Sequence, residues 1–158
     1  MHNEMSKFKA FFAKHKDRMK VLGVKLNPPA TTEDIGELEI AVGHILPAEI
    51  RSFYAYCNGF DTEDWIFNVL SIEQILYYKS ELEISEFYFA EYMIYSDDWK
   101  IKIEDSDTYV ITNGNHKEYI NLVLTNSIFE FLEVYLNSEG VLSENGLYKW
   151  FEEKNSSR

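Results

Sequence analysis

Several acidic side chains occur in close pairs, and these pairs are the first candidates for chemistry in the chain. They are Glu63-Asp64, Asp97-Asp98, and Asp105 with Asp107. Two neighbouring carboxylates can bind Mg²⁺ or act as an acid and a base in catalysis. However, 27 of the 158 residues are acidic and turns favour Asp, so such pairs also arise without a catalytic role. We interpret them as solvated loops.

The histidines and the single cysteine show no catalytic or metal-binding spacing. The histidines are scattered, with no pair at metal-ligand spacing: they are His2, His15, His44 and His116. Cys57 lies on the apolar stripe of a predicted helix, which indicates a buried, unreactive thiol. No glycine pattern matches a phosphate-binding loop, a dinucleotide fingerprint or a nucleophile elbow. These residue types predict a protein that is not an enzyme and holds no cofactor or metal.

Trp65 is the aromatic residue with two interpretations. It follows four residues, 61–64, of which three are acidic, and it begins a predicted strand. The favoured interpretation is that its ring packs in the core between sheet and helices. A partly exposed tryptophan surrounded by acids would instead resemble a binding hot spot. The sequence leaves the exposure of Trp65 open.

The formal charge of −12 is spread unevenly along the chain. Residues 1–27 hold seven basic and two acidic side chains, so this segment carries +5 and residues 28–158 carry −17. This excess of acid repels a phosphate backbone, which argues against direct nucleic-acid binding. Between Asp61 and Asp98 there are ten acids and one lysine, Lys79. If these acids share a face, that face would steer a basic protein partner; otherwise they only keep the protein soluble.

Length and composition predict one domain, 1–158, with a core rich in aromatic side chains. Hydrophobic residues make up 46% of the chain and aromatic residues 16%. One cysteine excludes an intrachain disulfide, and there is neither an export leader nor a long apolar run. We therefore expect a cytoplasmic protein without a membrane segment. Composition does not predict the oligomeric state.

The first 27 residues predict an amphipathic helix. Apolar residues recur at helical spacing over 4–22 with lysines between them, and Gly23 ends the pattern. A basic amphipathic helix can lie on an anionic membrane or pack on an acidic protein. Packing is the commoner case and is the one we expect.

Residues 28–60 give the most consistent local signals, and they predict two linked helices. Thr31 and Asp34 form a capping box, and Ile35, Leu38, Ala41 and Val42 are the predicted buried stripe. Gly43 ends the first helix, and Pro47 is predicted as the first residue of the second. The second stripe is Ile50, Phe53, Tyr54 and Cys57, and we expect Asn58-Gly59 to form a left-handed C-terminal cap.

The second half of the chain predicts an antiparallel sheet closed by helices. Strands are predicted at 65–70, 87–95, 99–103, 109–111 and 119–124, with a helical turn at 71–75. Asp97-Asp98 and Asn113-Gly114 are predicted as hairpin turns. Ser127 caps a helix with the stripe Ile128, Phe131, Leu132, Tyr135 and Leu136, a short helix follows at 147–151, and 152–158 should fray. The fold class is therefore α+β: an antiparallel meander packed against N-terminal helices and a closing C-terminal helix.

The stretch from Thr31 to Phe60 resembles the opening of the SUKH superfamily, the Smi/Knr-type domain. The similar features are Glu39, the Gly43-His44-Ile45-Leu46-Pro47 connection, Tyr54 and the closing Asn58-Gly59-Phe60. Trp65, the strands and the helix start at 126–132 also fit that family. The resemblance covers residues 28–136, with its core motif in 28–60.

This resemblance implies a function in toxin neutralisation. Bacterial proteins that look like this are mostly immunity proteins, which bind and block a cognate toxin, often a nuclease. Such a toxin is expected to be basic, so an acidic face could occupy its phosphate-binding cleft. The residues that we expect to bind it are Asp61, Glu63, Asp64, Trp65, Asp97, Asp98, Asp105 and Asp107.

Two other classes of function remain open from the sequence. Fungal relatives suggest a regulatory or scaffold module, although those proteins usually carry long disordered flanks that this chain lacks. An enzyme or small-ligand protein would need polar residues that converge in an aromatic cleft, and the sequence shows no such cluster.

Overall fold

A computed structural model describes residues 2–63, 67–77, 84–92, 97–113, 122–141 and 143–156. The helices in these ranges are α1 His2–Lys14, α2 Lys16–Leu22, α3 Thr32–Val42, α4 Ala48–Tyr56, α5 Ile72–Tyr77, α6 Ile128–Asn137 and α7 Leu147–Ser156. The strands are β1 Lys25–Leu26, β2 Phe60–Asp61, β3 Phe67–Val69, β4 Glu86–Tyr92, β5 Asp97–Ile103, β6 Tyr109–Asn113 and β7 Val123–Thr125.

The strands form one antiparallel sheet whose order follows the chain from β1 to β7. This confirms the predicted α+β fold with a meander. The predicted turn at Asp97-Asp98 is wrong, because both residues pair inside the sheet: Asp97 with Tyr92 and Asp98 with Glu91. Pairing with the neighbouring strand therefore outweighs the local preference of Asp for turns.

The second predicted hairpin is correct in its pairing but not in the position of its turn. β6 and β7 are antiparallel neighbours. Asn113, however, pairs with Trp99 inside the sheet, and its side chain is fully buried. Its φ is not positive, so it does not occupy a two-residue turn of the predicted kind. Gly114 and the rest of that connection lie outside the described residues.

The predicted helix pair is α3 and α4, and its local signals form as expected. Thr31 Oγ1 accepts a hydrogen bond from the Asp34 N–H (3.0 Å), and the Asp34 carboxylate accepts one from the Thr31 N–H (3.1 Å). Gly43 ends α3 with a φ of +77°. The helix α4 begins at Ala48, so Pro47 lies at the cap position and not inside the first turn. The predicted stripes are buried, except for Ala41, which is exposed.

The end of α4 differs from the predicted Asn58-Gly59 cap. Cys57 ends the helix in an extended conformation, with a φ of −150°. Gly59 has a positive φ of +76°, but it precedes β2 and lies tightly against the backbone of the next strand. A Cβ on Gly59 would approach the carbonyl oxygen of Leu70 to 2.7 Å, and that of Val69 more closely still. The glycine is therefore required for close packing and not for capping a helix.

The core lies between one face of the sheet and α6. Phe131 of α6 lies 5.0 Å from Phe89 and 5.9 Å from Trp99, measured between ring centroids. Tyr135, one turn later, stacks on Phe67 at 4.1 Å. All five rings are buried, and each aromatic pair adds about 0.5–1.5 kcal/mol to the effect of burial.

The basic N-terminal segment packs on the protein as predicted, although His15 interrupts its helix. Phe8 of α1 lies 5.6 Å from Phe53 of α4 and stacks on Phe129 of α6 at 4.3 Å. His15 is buried, with Nδ1 2.9 Å from the carbonyl oxygen of Phe11, and it separates α1 from α2. No helix in the described ranges is long and apolar enough to cross a membrane.

One of the basic residues, Arg18 of α2, closes the C-terminal end of α6. Its Nε donates to the carbonyl oxygen of Leu136 (2.9 Å), and its Nη2 donates to that of Ser138. Carbonyls at this end of a helix have no partner within the helix, and the helix dipole favours a cation there. The charge of Arg18 therefore stabilises the fold.

The C-terminal helices extend the predicted pattern. Ser127 Oγ accepts a hydrogen bond from the Glu130 N–H (3.3 Å) and so caps α6, whose predicted stripe is buried. The last helix, α7, runs from Leu147 to Ser156, beyond the five residues predicted for it. The segment predicted to fray from residue 152 is therefore helical as far as Ser156.

Candidate functional site

The structure places the predicted partner-binding residues in two separate regions. Asp61 lies in β2 and Glu63 shortly after it, while Asp97 and Asp98 lie in β5. Asp64 and Trp65 fall outside the described residues. Asp105 and Asp107 lie in the loop after β5. Ile103, the last strand residue before this loop, is five residues beyond Asp98, which at about 3.3 Å per strand residue corresponds to roughly 16 Å.

The first region contains a row of polar side chains across four neighbouring strands. Asn68 of β3 pairs with Glu91 of β4, and Glu91 pairs with Asp98 of β5. Asp61 of β2 follows Phe60, which pairs with Val69, so Asp61 lies beside Asn68 on the same face. The four side chains therefore form a continuous row on the sheet face that points away from the aromatic core.

Glu91 is the buried centre of this row. Burial raises the pKa of the Glu91 carboxyl, a hydrogen bond with Asn68 lowers it, and the charge of Asp61 raises it further. Asn68 is also buried. Glu91 is not among the residues predicted from the sequence, although one signal was present: it is the acid inside the otherwise apolar run 87–95. Its burial makes this part of the row a structural feature, not a contact surface.

We predict that Glu91→Gln stabilises the protein at high pH. A pKa raised by folding means that the protonated form favours the folded state, and that this stabilisation is lost as the pH rises through the folded pKa. At pH 8 the substitution should therefore raise Tm by roughly 2–4 °C, the effect of about 1 kcal/mol in a protein of this size. The gain should become small near pH 4, where glutamate is mostly protonated in the unfolded state as well.

Thermal melts at pH 4, 6 and 8 measure this effect. Glu86→Gln is the matched control on the same strand, because the Glu86 carboxylate lies 3.4 Å from Lys100 Nζ. Losing that ion pair should leave Tm unchanged or lower it slightly at pH 8. A lower Tm for Glu91→Gln at pH 8 would show that its carboxylate stabilises the fold.

The second region is the loop after β5, where Asp107 has a structural role. Asp107 Oδ1 accepts a hydrogen bond from the Ala48 N–H (2.7 Å) and thereby caps α4 from outside the helix. Asp105 is exposed, and its Oδ1 accepts a hydrogen bond from the Ser106 N–H (2.9 Å). Both side chains are exposed, but Asp105 bonds only within its own loop, so it is the one of the two that does not cap a helix.

The described part of the chain contains no group of three histidine, cysteine or acidic side chains that could hold a metal ion. A hollow of about 490 Å³ lies beside Phe67 and Tyr135. Two of its hydroxyls bond the backbone: Thr62 Oγ1 donates to the carbonyl oxygen of Phe67, and Ser143 Oγ to that of Gly140, both at 2.8 Å. Among the described lining residues Glu139 is the only carboxylate, so they do not supply a paired acid and base.

The cysteine and the connection at His44 behave as the sequence indicates. Cys57 is a buried free thiol, and burial raises its pKa to about 12 although a hydrogen bond from the Gly59 backbone opposes the shift. Such a thiol is almost entirely protonated at neutral pH and is a poor nucleophile. His44 Nδ1 lies 2.7 Å from the carbonyl oxygen of Ile45, within the α3–α4 connection.

Comparison with known families decides the relationship. A model of the SMI1/KNR4 family, SUKH-1, matches residues 29–153, from just before α3 to within α7. The chain belongs to the SMI1/KNR4 (SUKH-1) family. It matches no curated protein sequence at a significant level. The family match confirms the resemblance, which the sequence showed over residues 28–136, and extends it to residue 153 within α7.

In this SUKH-1 chain, the motif residue Glu39 fixes the connection between the two helices. Glu39 Oε2 accepts a hydrogen bond from the Leu46 N–H (2.8 Å) and from Arg51 Nη2 (3.3 Å). Arg51 Nη2 also donates to the carbonyl oxygen of Leu46 (3.2 Å). The connection is thus held at both ends.

The other motif residues of the SUKH-1 domain attach α4 to the sheet. The buried Tyr54 hydroxyl donates to the carbonyl oxygen of Leu70 (3.0 Å), and burial raises the pKa of that hydroxyl well above its usual value. Asn58 Oδ1 accepts a hydrogen bond from the Ile72 N–H (2.8 Å) at the start of α5. These contacts give the motif residues a structural role in the fold.

Proposed function

We propose that this SUKH-1 chain is an immunity protein that acts in the bacterial cytoplasm by binding and neutralising a cognate toxin. The observation that carries the proposal is the family match over residues 29–153, in a chain whose residues 28–158 carry −17. An acidic protein binds a basic partner quickly because long-range attraction raises the association rate. Neutralisation in this way requires a surface and no catalytic group.

The contacts of the candidate residues fit a protein that acts by binding. The motif residues and Asp107 are engaged in folding, and the described lining of the hollow near Tyr135 lacks a paired acid and base. Exposed carboxylates such as Asp105 are left to act through charge. The proposed partner is therefore a basic toxin domain, with a nuclease as the leading candidate, because nucleases must attract phosphate.

Co-expression with the toxin encoded beside this gene tests the proposed function. Cells that produce the toxin should grow when this protein is present, and the two proteins should purify together at about 0.1 M salt. The complex should weaken as the salt concentration rises, because screening reduces attraction between opposite charges. No rescue and no complex with that toxin would contradict the proposal. A complex without rescue would favour a scaffold or regulatory module.

A further inference from the structure

Three exposed isoleucines meet on the surface around Gly43, and we call them the isoleucine patch. Ile40 of α3 is 83% exposed, Ile45 of the α3–α4 connection 62%, and Ile84 before β4 81%. Ile40 and Ile45 line the same hollow. The Cγ2 atom of Ile84 lies 3.5 Å from the position that a Cβ on Gly43 would occupy. In the described ranges five large apolar side chains are at least 62% exposed, and three of them are in this patch.

Folding does not explain the position of Ile40. The buried residues of α3 are Ile35, Leu38 and Val42, which form its core stripe. At 100° per residue, Ile40 lies on the opposite side of the helix. Burial of an isoleucine side chain is favourable, so a partner that covers these three residues gains affinity from each of them. Contiguous exposed apolar groups of this kind mark interaction sites.

The backbone of the patch is fixed before any partner arrives. The Leu46 N–H donates to Glu39 Oε2 (2.8 Å), which holds the residue that follows Ile45. The Ser85 N–H donates to the carbonyl oxygen of Val42 (2.9 Å), which holds the residue that follows Ile84. A surface that is already ordered loses little conformational entropy when it binds, so more of its contact energy appears as affinity.

The patch has an acidic rim. Glu33 and Glu37 are exposed and precede Ile40 by seven and three residues, so they lie on the same side of α3. Ser106 lines the hollow with Ile40, and the exposed Glu104 and Asp105 adjoin it in the chain. An apolar centre with a charged rim is the usual anatomy of a protein interface.

The nearby cations do not neutralise this rim. Arg51 Nη2 lies 3.3 Å from Glu39 Oε2, so its charge is already matched. Lys102 is exposed and two residues from Glu104, so it can offset one of the four rim carboxylates and leaves the rim with a net negative charge. The rim therefore repels acidic partners, including a second copy of this face, because a two-fold dimer would bring the same carboxylates together.

We propose that the isoleucine patch is the docking surface for a basic protein partner. The partner inserts an apolar side chain between Ile40 and Ile45 and places lysines or arginines over Glu33, Glu37 and Asp105. In naming that partner as the cognate toxin, this inference rests on the proposed function. The expected contact surface is then the solvent-facing side of the helix pair. It is not the polar row that contains Asp61, because the centre of that row is buried.

The test measures binding of an inactivated form of the neighbouring toxin to single-site variants. Ile40→Lys and Ile84→Lys should each weaken binding at least about 30-fold, the effect of losing a hot spot worth about 2 kcal/mol. Val21→Lys is the matched control, because Val21 is a 69% exposed apolar residue on α2, away from the patch. It should change Kd less than about threefold. All three sites are exposed, so Tm should stay within about 2 °C of the unsubstituted protein.

A second pair of variants tests the rim. Glu33→Gln combined with Glu37→Gln should lower the association rate and flatten its dependence on salt, because rim charges act mainly on the rate of encounter. Asp61→Asn removes one charge from the polar row, and its association rate should stay within about twofold of that of the unsubstituted protein.

The outcomes separate the docking surface from the proposed function. Toxin binding that Ile40→Lys and Ile84→Lys leave intact would overturn the patch while the immunity role stands. Absence of toxin binding by the unsubstituted protein would overturn the proposed function and this inference with it. A homodimer in sedimentation velocity that Ile40→Lys dissolves would also overturn the inference, because the occupant would then be a second copy.

Discussion

Gly59→Ala should destabilise the protein by more than about 4 kcal/mol, enough to prevent stable folding. Two effects add at this position. The φ of +76° is strained for any residue with a Cβ, at a cost of about 1–2 kcal/mol. The new methyl group would also collide with the backbone carbonyls of Val69 and Leu70, which cannot move aside without disturbing the pairing of β2 with β3. Side-chain rearrangement cannot relieve a clash with backbone.

Alanine substitutions at two further glycines distinguish the effect of the steric clash from the effect of the strained φ. Gly43 has almost the same φ, +77°, but the nearest atom to an added Cβ is Ile84 Cγ2 at 3.5 Å, an ordinary contact. Gly43→Ala should therefore cost about 1–2 kcal/mol from strain alone. Gly36 lies inside α3 with nothing within 4 Å of an added Cβ, so Gly36→Ala should stabilise by about 0.5–1 kcal/mol.

Urea denaturation followed by circular dichroism ranks the three variants. The expected order of stability is Gly36→Ala above the unsubstituted protein, then Gly43→Ala, then Gly59→Ala, with the last recovered mainly as unfolded or aggregated chain. If Gly59→Ala were as stable as Gly43→Ala, the backbone at Val69 and Leu70 would have to yield easily, contrary to the packing described above.

Phe131→Ala should lower the free energy of unfolding by about 3–5 kcal/mol, the range for removing a fully buried aromatic ring. Phe131 is fully buried, and its ring contacts Phe89 of β4, Trp99 of β5 and Trp150 of α7. Removing it leaves a cavity between the sheet and two helices. In a protein of this size the loss corresponds to a fall in Tm of about 10 °C or more.

Phe129→Ala is the matched control for Phe131→Ala. Phe129 is two residues earlier on the same helix, is partly exposed, and stacks on Phe8 of α1. Its loss removes ring contacts with Phe8 and Phe11 of α1 at a partly exposed site, so we expect a cost of about 1–2 kcal/mol. Differential scanning calorimetry of both variants measures the contrast. Equal falls in Tm would show that the sheet does not depend on the ring of Phe131.

Features encoded by neighbouring residues could be predicted from the sequence. The capping box of Thr31 and Asp34, the left-handed Gly43 and the Ser127 cap each involve residues at most four positions from the helix they bound, so the chain itself supplies the partner. The hairpin signals predicted an antiparallel meander and left the order of its strands open; the order follows the chain even across the α3–α4 pair between β1 and β2. Family resemblance added the domain type.

Features that depend on strand register could not be predicted. Asp97, Asp98 and Asn113 carry turn signals, yet each lies in a strand because its pairing partner on the neighbouring strand extends the ladder past it. The burial of Glu91 likewise follows from its alignment with Asn68 and Asp98. Local preferences contain no information about register, which tertiary packing determines.

The predicted binding residues were chosen mainly because they are acidic. Acidity does not determine where a residue lies in the fold, so the structure places them in different regions. Spacing along the chain does not reveal that Asp61 and Asp105 belong to different regions, or that Asp107 caps α4. The isoleucine patch had a signal that could have been used: Ile40 is an apolar residue on the side of α3 opposite to its core stripe. An apolar residue off the stripe indicates a contact made outside the fold.

Titration of the neighbouring toxin with this protein tests most directly whether neutralisation occurs by binding alone. A fixed amount of toxin is mixed with increasing amounts of the protein, and the remaining toxin activity is measured. We predict that activity falls linearly, reaches zero near one molar equivalent, and returns when salt of about 1 M separates the two proteins. Irreversible loss of activity at about one hundredth of an equivalent would reveal a catalysed reaction, and undiminished activity at tenfold excess would reveal no neutralisation; either result would contradict the proposal.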